Sequence, residues 1–421
     1  MTELELDVTG YANGGSGIAR HNGRVVFVAG ALPGERVRVN VTDDSRASYA
    51  KASVVDVLDA SPHRVAPLCP AAAAGAGCCD LSFVDPTYAR ELGADALGDV
   101  LRRIGGFGID ATEPPTVEPL GDVPTGWRVR TRLAVGADGV VGLRGRRSSD
   151  LVTTPCAGPV AGLLDGLDGL GGAVGTELVL ASDSDGVRHI AELSAPADRR
   201  GRSGRGGDRR GRAQRSRSAH SAPRSVRTVQ GDTHAVQTIG ERSWTVPVTG
   251  FWQAHHNAPA AYTRAALELV KGIGLSGDVH VWDLYGGVGV FSASLLDGAS
   301  DFSVRGVDLV DTDPGALAAA ERTLATDPVE IHRGAVADVV SSLRAPDLVI
   351  SDPPRSGAGA DVVDAVVAAE PGVVVHVGCD AAAFARDLGR FATHGYSVRE
   401  WRAFDAFPMT HHVEGIAVLT R

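Results

Sequence analysis

Long apolar runs are missing from this 421-residue chain. None reaches the ~18–20 residues that a membrane-spanning helix needs, so no membrane partner is expected. Lysine is almost absent: Lys51 and Lys271 are the only two. The basic residues are therefore nearly all Arg, whose forked guanidinium suits phosphate. The overall charge of −10 argues against a wholly electrostatic nucleic-acid binder. It is also uneven: residues 198–227 carry eleven Arg against Asp198 and Asp208, a net of +9, which leaves −19 on the rest. Cysteine is scarce and odd in number, five in all, which argues against a disulfide framework. The acidic start, Met1 to Glu5, has no apolar h-region. No signal peptide is expected, and a cytoplasmic location is.

What the chain does have is organised around Val281-Trp282-Asp283-Leu284-Tyr285-Gly286-Gly287-Val288-Gly289-Val290. An apolar strand breaks into a glycine turn that opens a helix. Strand, turn and helix in that order suit a nucleotide-type ligand, because glycines admit close backbone approach and the helix start offers free N–H groups. Gly287 lies in that turn. About twenty residues on, a second strand is predicted to end at Asp308, placed to take ribose hydroxyls. The turn reads G-G-x-G, shorter than a dinucleotide fingerprint, which favours a ligand without pyrophosphate such as S-adenosylmethionine.

The length predicts two or three domains. Short β-rich runs in residues 3–58, punctuated by Gly14-Gly15-Ser16-Gly17 and Leu32-Pro33-Gly34-Glu35, predict an OB-like barrel over 1–60. Such a barrel is either a structural cap or an RNA binder. Residues 61–245 read as a β-rich central domain with a helix over 84–105. Arg128, Arg130 and Arg132 share one face of a strand, facing either RNA or solvent. Residues 196–228 are Arg/Gly/Ser-rich with no apolar period and read as a disordered insertion. From 246 to 421 helix and strand alternate, with strands ending at Tyr285, Asp308, Arg333, Asp352 and Cys379. A terminal hairpin closes the chain. This predicts an α/β Rossmann-like methyltransferase plan, a doubly wound sheet with an antiparallel edge hairpin.

Cys69, Cys78, Cys79 and Cys156 form a clustered set with one distant member, able to hold an iron–sulfur cluster or zinc. The fifth, Cys379, follows a strand and precedes a helix whose N-terminus is expected to lower the thiol pKa. A nucleophilic thiol there suits methylation of uracil carbon 5. Addition at carbon 6 makes carbon 5 enolate-like, and a base later removes its proton. Asp352 leads Asp352-Pro353-Pro354-Arg355, where the prolines end the strand and turn the acid outward. Glu414 on an apolar strand, or His411 or His412 beside it, would supply the base; Glu414 is the choice here.

These motifs resemble a known family. Gly15-Ser16-Gly17-Ile18-Ala19-Arg20, Gly23 to Val28 and Leu32 to Glu35 look like a TRAM domain, an RNA-binding barrel. Phe251-Trp252-Gln253, the glycine turn, Asp352 to Arg355, Gly378-Cys379-Asp380 and Phe407 to Glu414 resemble the RNA 5-methyluridine methyltransferases, over nearly the whole chain except 196–228. The resemblance implies Cys379 as nucleophile, Glu414 as base, and Gln253, Tyr285, Asp308 and Asp352 around S-adenosylmethionine. It also implies a four-iron, four-sulfur cluster on Cys69, Cys78, Cys79 and Cys156, and a monomer acting on structured RNA, with 23S ribosomal RNA preferred over transfer RNA. The chain departs from the family in three places. Cys78 and Cys79 are adjacent rather than spaced by two glycines, Gln253-Ala254-His255 replaces Gln-Val-Asn, and Ala335 stands where a polar residue usually meets adenine. Arg355 in place of an aromatic argues against an amine acceptor. A 5-methylcytosine enzyme would place a cysteine beside Pro353. A non-catalytic RNA-binding factor is the remaining alternative.

Overall fold

The computed structural model describes residues 2–106, 116–137, 139–146, 148–170, 172–196, 224–299 and 301–421. Strands β1 (Glu3–Ala12), β2 (Ser16–His21), β3 (Arg24–Ala29), β4 (Arg36–Asp43) and β5 (Tyr49–Asp59) close into a barrel in the order β1-β2-β3-β5-β4. Alternate residues such as Leu6, Val8, Val37 and Val39 fill its interior, as a period of two requires. The turn residue Glu35 is buried, 1% exposed, because it pins the barrel to the segment beyond β5. Its carboxylate accepts from the backbone N–H of Leu32 (2.8 Å) and Ser61 (3.3 Å) and pairs with Arg64.

Past the barrel come α1 (Pro70–Ala73) and α2 (Pro86–Val100), the latter started by Asp85, whose side chain accepts from the N–H of Thr87 and Tyr88. A short π-helical turn over Leu101–Gly105 ends it, within the predicted helix. Strand β6 (Val117–Pro119) leads to β7 (Arg130–Val135), β8 (Val141–Arg144), β9 (Leu151–Val152), β10 (Glu177–Ser182), β11 (Arg188–Leu193) and β12 (Val226–Gln230). The last six form one sheet ordered β12-β11-β10-β7-β8-β9. The stretch read as a disordered insertion lies outside the described residues over 197–223, but its end does not. Arg224 bonds the Ser194 carbonyl and Glu177, Arg227 pairs with Glu192, and β12 is laddered to β11. The sequence expects strands to resume at Arg227, and β12 begins one residue earlier, with carboxylates on distant strands as partners.

The hairpin β13 (His234–Ile239) and β14 (Arg242–Pro247) precedes the α/β half. There α3 (Ala258–Ile273), β15 (Gly277–Leu284), α4 (Val290–Gly298), β16 (Phe302–Asp311), α5 (Pro314–Thr323), β17 (Val329–Arg333), α6 (Val336–Val339), β18 (Leu348–Ser351), α7 (Ala360–Ala368), β19 (Val373–Gly378), α8 (Ala381–Thr393), β20 (Ser397–Asp405) and β21 (Glu414–Thr420) alternate. The eight-stranded sheet runs β17-β16-β15-β18-β19-β21-β20-β6. Strands β15, β18 and β19 run parallel, and β18 and β19 are buried throughout, so these two read as near-continuous Val, Ile and Leu. One face packs on α3 and α4, the other on α2, α7 and α8. Two contributors come from the central part of the chain. Strand β6 lies parallel to β20, pairing Ala403 with Val117, and α2 with the turn after it sends Leu97, Val100 and Leu101 into the core of the sheet. No helix among the described residues is long and apolar enough to cross a membrane.

Candidate active site

Strand β15 delivers Asp283 to the middle of the sheet's carboxyl edge. One oxygen accepts from the N–H (3.1 Å) and hydroxyl (2.6 Å) of Ser292, tying the strand end to the first turn of α4. The other oxygen is buried with no partner among the described residues. Burial pushes this carboxyl up to about 6. The glycine turn between them is tight. A Cβ on Gly286 would lie 2.9 Å from Asp283 Cγ and from Leu309 Cγ, so only glycine fits. Tyr285 adopts φ 61°, a costly conformation for an aromatic residue and one found at ligand clamps. From the side, Trp244 donates its indole N–H to the Val288 carbonyl (2.9 Å).

The acid that holds this turn is Asp311, not Asp308. Asp311 ends β16, and one of its oxygens accepts from the Gly287 N–H (3.0 Å) while the other accepts from the Asp313 N–H (2.8 Å). Asp308 lies three residues earlier, pairing in mid-sheet with Trp282 and Glu330. It is 5% exposed, and its oxygens meet His280 Nε2 (2.8 Å) and His332 Nε2 (2.7 Å). It is absent from the cleft lining, which corrects the expectation that β16 ends there. The apolar run continues through Leu309 and Val310, so the strand does too.

An open cleft of about 830 Å³ spreads over this edge. Gln253, Tyr285, Gly287, Asp311, Asp352, Cys379 and Glu414 all line it. Its size lies within the ~300–1,000 Å³ of a small-molecule site. Ala335 lines it as well, with no polar side chain to offer.

Asp352 follows β18 and donates its N–H to the Leu284 carbonyl (3.2 Å), which fixes it beside the glycine turn. Burial, with Asp283 adding, pushes its carboxyl up to about 7. Cys379 and Glu414 are brought face to face by the antiparallel ladder of β19 and β21. Its last pair is Gly378 with Gly415, and the next step outward is Cys379 and Glu414. Both glycines are needed. The Phe384 ring of α8 packs where their side chains would be, 2.9 Å from a Cβ on Gly378 and 2.8 Å from one on Gly415. Glu414 is 4% exposed, and the Tyr262 hydroxyl donates to it at 3.5 Å. Burial, then Asp352, holds the Glu414 carboxyl well above the usual carboxylate range, against the opposing effects of Tyr262 and Arg355.

The Cys379 thiol is pushed up to about 12, by burial first, then by Glu414 and Asp352, with Arg355 opposing. The expected lowering at the helix start is therefore reversed. The first turn of α8 is already served by Asp380, whose side chain accepts from Ala383 N–H, and two carboxyls from other strands outweigh it. Burial, with His411 and Arg355, lowers His412 to about 4. His411 is engaged elsewhere: its Nδ1 meets Asp80 at 2.6 Å.

Asp80 was not visible as a functional residue in the sequence. It follows Cys79, and the next residue, Leu81, donates its N–H to the Met409 carbonyl (2.9 Å). The cysteine loop thus holds the segment that presents Glu414. The four cysteines expected together are together: Cys156 Sγ lies 3.7 Å from Cys69, 3.6 Å from Cys78 and 3.7 Å from Cys79. Such a set can hold a metal ion. Of the arginine ladder, neither Arg128 nor Arg130 meets solvent freely. Arg130 donates to the Val248 carbonyl, and Arg128 lies over the Trp127 ring, 4.4 Å from its centroid, and lines the cleft. Arg132 pairs with Glu177 at the surface.

This geometry has counterparts among known proteins. Residues 2–55 match the TRAM domain family and residues 317–421 match the tRNA (Uracil-5-)-methyltransferase family. An RNA methyltransferase of Corynebacterium efficiens is 42% identical, covering 99% of this chain and 94% of its own. The 23S rRNA (uracil(1939)-C(5))-methyltransferase RlmD of Alkalilimnicola ehrlichii is 32% identical over 99% of this chain and 96% of its own. Among solved structures, the tRNA (uracil-54, C5)-methyltransferase of Pyrococcus abyssi, in complex with S-adenosyl-L-homocysteine, superposes with a TM-score of 0.70. It covers 99% of this chain and 100% of its own at 21% identity, a likeness of fold.

Proposed function

The chain belongs to the TRAM-domain-containing, S-adenosylmethionine-dependent RNA uracil-C5 methyltransferases, and from that premise we propose that it methylates carbon 5 of a uridine in structured RNA through a covalent adduct between Cys379 and carbon 6. The observation that carries this reading is the ladder of β19 and β21, which sets Cys379 opposite Glu414 with Asp352 on the adjoining strand.

The cofactor fits the other end of the cleft. The unpartnered buried oxygen of Asp283 and the clamped turn at Gly287 suit a ligand with polar hydrogens lying close to backbone. Gln253, Tyr285, Gly287, Asp311 and Asp352 would hold S-adenosylmethionine there, with Asp311 taking the place expected of Asp308. Bound, it supplies an electrophilic methyl group on a sulfonium.

The residues of the chain do the rest. Asp352 and Glu414 are both buried and both raised, Glu414 in part by the charge of Asp352, so they favour sharing one negative charge near neutral pH. The ionised member accepts the proton that the Cys379 thiol must lose before it attacks carbon 6. Carbon 5 then takes the methyl. The proton taken from the thiol must pass on to solvent, so that Glu414 is ionised when it removes the carbon-5 proton, a state that the charge of Arg355 favours. Loss of that proton re-forms the double bond and expels the thiolate.

The test is RNA containing 5-fluorouridine, whose fluorine replaces the proton to be removed. A denaturant-stable protein–RNA species that requires S-adenosylmethionine, and is lost in Cys379→Ser, is expected. Equal adduct from the mutant would overturn the proposal.

The substrate RNA is the finer question. Ribosomal RNA rests on the RlmD likeness, transfer RNA on the family matched over the catalytic residues 317–421. Transfer RNA therefore stands at least level with the ribosomal substrate preferred from the sequence. Mapping 5-methyluridine by mass spectrometry in both RNAs from a strain lacking the protein decides between them.

A further inference from the structure

Cys69 caps α1, Cys78 and Cys79 close the loop after it, and Cys156 arrives from beyond β9. None of the four is in a disulfide. All four sulfurs lie within 4.8 Å of one another, and Cys156 is almost equidistant from the other three, at 3.6–3.7 Å. These distances choose between two kinds of metal centre.

Four thiolates about 2.3 Å from one tetrahedral ion stand ~3.8 Å apart. In a four-iron cube each thiolate sits outside its own iron, so the four sulfurs stand roughly 6 Å apart. The observed spacing agrees with the first arrangement. Sulfurs this close enclose the volume of one ion and leave none for a cube of eight atoms. The loop geometry agrees too. With no residue between them, Cys78 and Cys79 both converge on the same neighbour, Cys156.

The surroundings suit thiolates that carry charge. The Gly158 N–H donates to Cys156 Sγ at 3.4 Å. The Arg128 backbone N–H donates to the carbonyl of Gly158 (2.8 Å), two residues past Cys156, and its guanidinium lies over Trp127. Four thiolates around a divalent ion keep a net charge of about −2, which backbone N–H donors and a nearby cation stabilise.

We propose that Cys69, Cys78, Cys79 and Cys156 bind a single tetrahedral divalent ion, zinc by its preference for thiolate, and that the four-iron cluster implied by the family resemblance does not fit this chain. All four positions of the ion are taken by protein, so its role is to hold structure. It fixes the loop whose next residues, Asp80 and Leu81, bind His411 and Met409 beside the catalytic hairpin. The proposal does not rest on the methyl-transfer reading, and its test does not read methylation.

The full chain is produced in iron-replete cells, purified without oxygen, and assayed for metals, acid-labile sulfide and visible absorbance. About one zinc per chain with no sulfide and no brown colour is expected. After zinc is stripped under mild denaturant, cobalt(II) should bind once per chain with the intense visible bands of a tetrahedral tetrathiolate. Ferrous iron with sulfide should leave no sulfide bound. About four irons and four sulfides per chain, as isolated or after that reconstitution, would overturn the proposal. So would a metal-free folded protein whose four cysteines all react with a thiol reagent.

Discussion

The two thiol environments of this molecule lie on either side of one short segment, residues 407–413, and they are opposites. Cys379 stands alone among carboxyls. Its proton is held tightly, with the thiol pushed to about 12, and the charges that raise it come from Glu414 and Asp352. Cys69, Cys78, Cys79 and Cys156 stand together, facing a guanidinium and a backbone N–H. In the first environment a neutral thiol is stable until a substrate arrives to take the sulfur. In the second, four sulfurs converge where only a cation could keep them. Burial is similar in kind at both. What separates the proposed nucleophile from the proposed ligands is the sign of the charge around each and the number of sulfurs meeting there.

The sharpest way to break the comparison is to remove the proposed base that faces the lone thiol. Glu414→Gln should still form adduct and methylate, then stall before release, because the carbon-5 proton stays on. Release should slow ~10²–10⁴-fold, and covalent RNA should accumulate without fluorine. Normal turnover of this variant, with adduct instead trapped by His411→Ala or His412→Ala, would move the role to a histidine.

A milder probe compares the thiols directly. Because burial and two carboxyls raise Cys379, its thiolate fraction is small at neutral pH and grows as pH climbs toward about 12. Iodoacetamide labelling of Cys379, followed by mass spectrometry, should accelerate about tenfold per pH unit from pH ~7 to ~10, while the metal-held cysteines stay unlabelled. A plateau below about pH 8 would show a lowered thiol and refute the carboxyl account.

The smallest effect should come from the bridge between the two environments. Asp80→Asn weakens the contact to His411 without touching a sulfur ligand. A bond to a charged group is worth ~1.5–3 kcal/mol, so kcat should fall about tenfold or somewhat more while zinc content is kept. Loss of zinc together with unchanged kcat would sever the proposed link.

How far each feature is legible in the sequence depends on where its physical cause lies. Cys379 and Asp352 are legible because an apolar run, Val373–Gly378 or Leu348–Ser351, stops at each of them, and a polar residue at a strand end is local information. Asp308 misleads for the same reason in reverse. Its neighbours Val307, Leu309 and Val310 are apolar, yet the strand runs on to Asp311, and the histidines that occupy Asp308 come from the strands on either side. The direction of the Cys379 pKa is hidden because its helix is adjacent in sequence, whereas Glu414 is not. Asp80 is silent because its partner is 331 residues away. The barrel is legible as a barrel from its alternation, but not the buried role of Glu35, which only Arg64 and the turn around it explain.

Strand β6 carries a consequence for how this enzyme could be divided. It is three residues long, yet it covers the outer rim of β20, and α2 just before it fills part of the catalytic core. A catalytic half excised after the central sheet would expose the unpaired rim of β20 and an apolar socket where Leu97, Val100 and Leu101 had been, an invitation to edge-to-edge aggregation. The sheet that holds the chemistry is therefore not a cassette. The halves must be inherited, expressed and engineered as one piece, and a graft onto another RNA-binding module would have to carry residues 86–119 along with it.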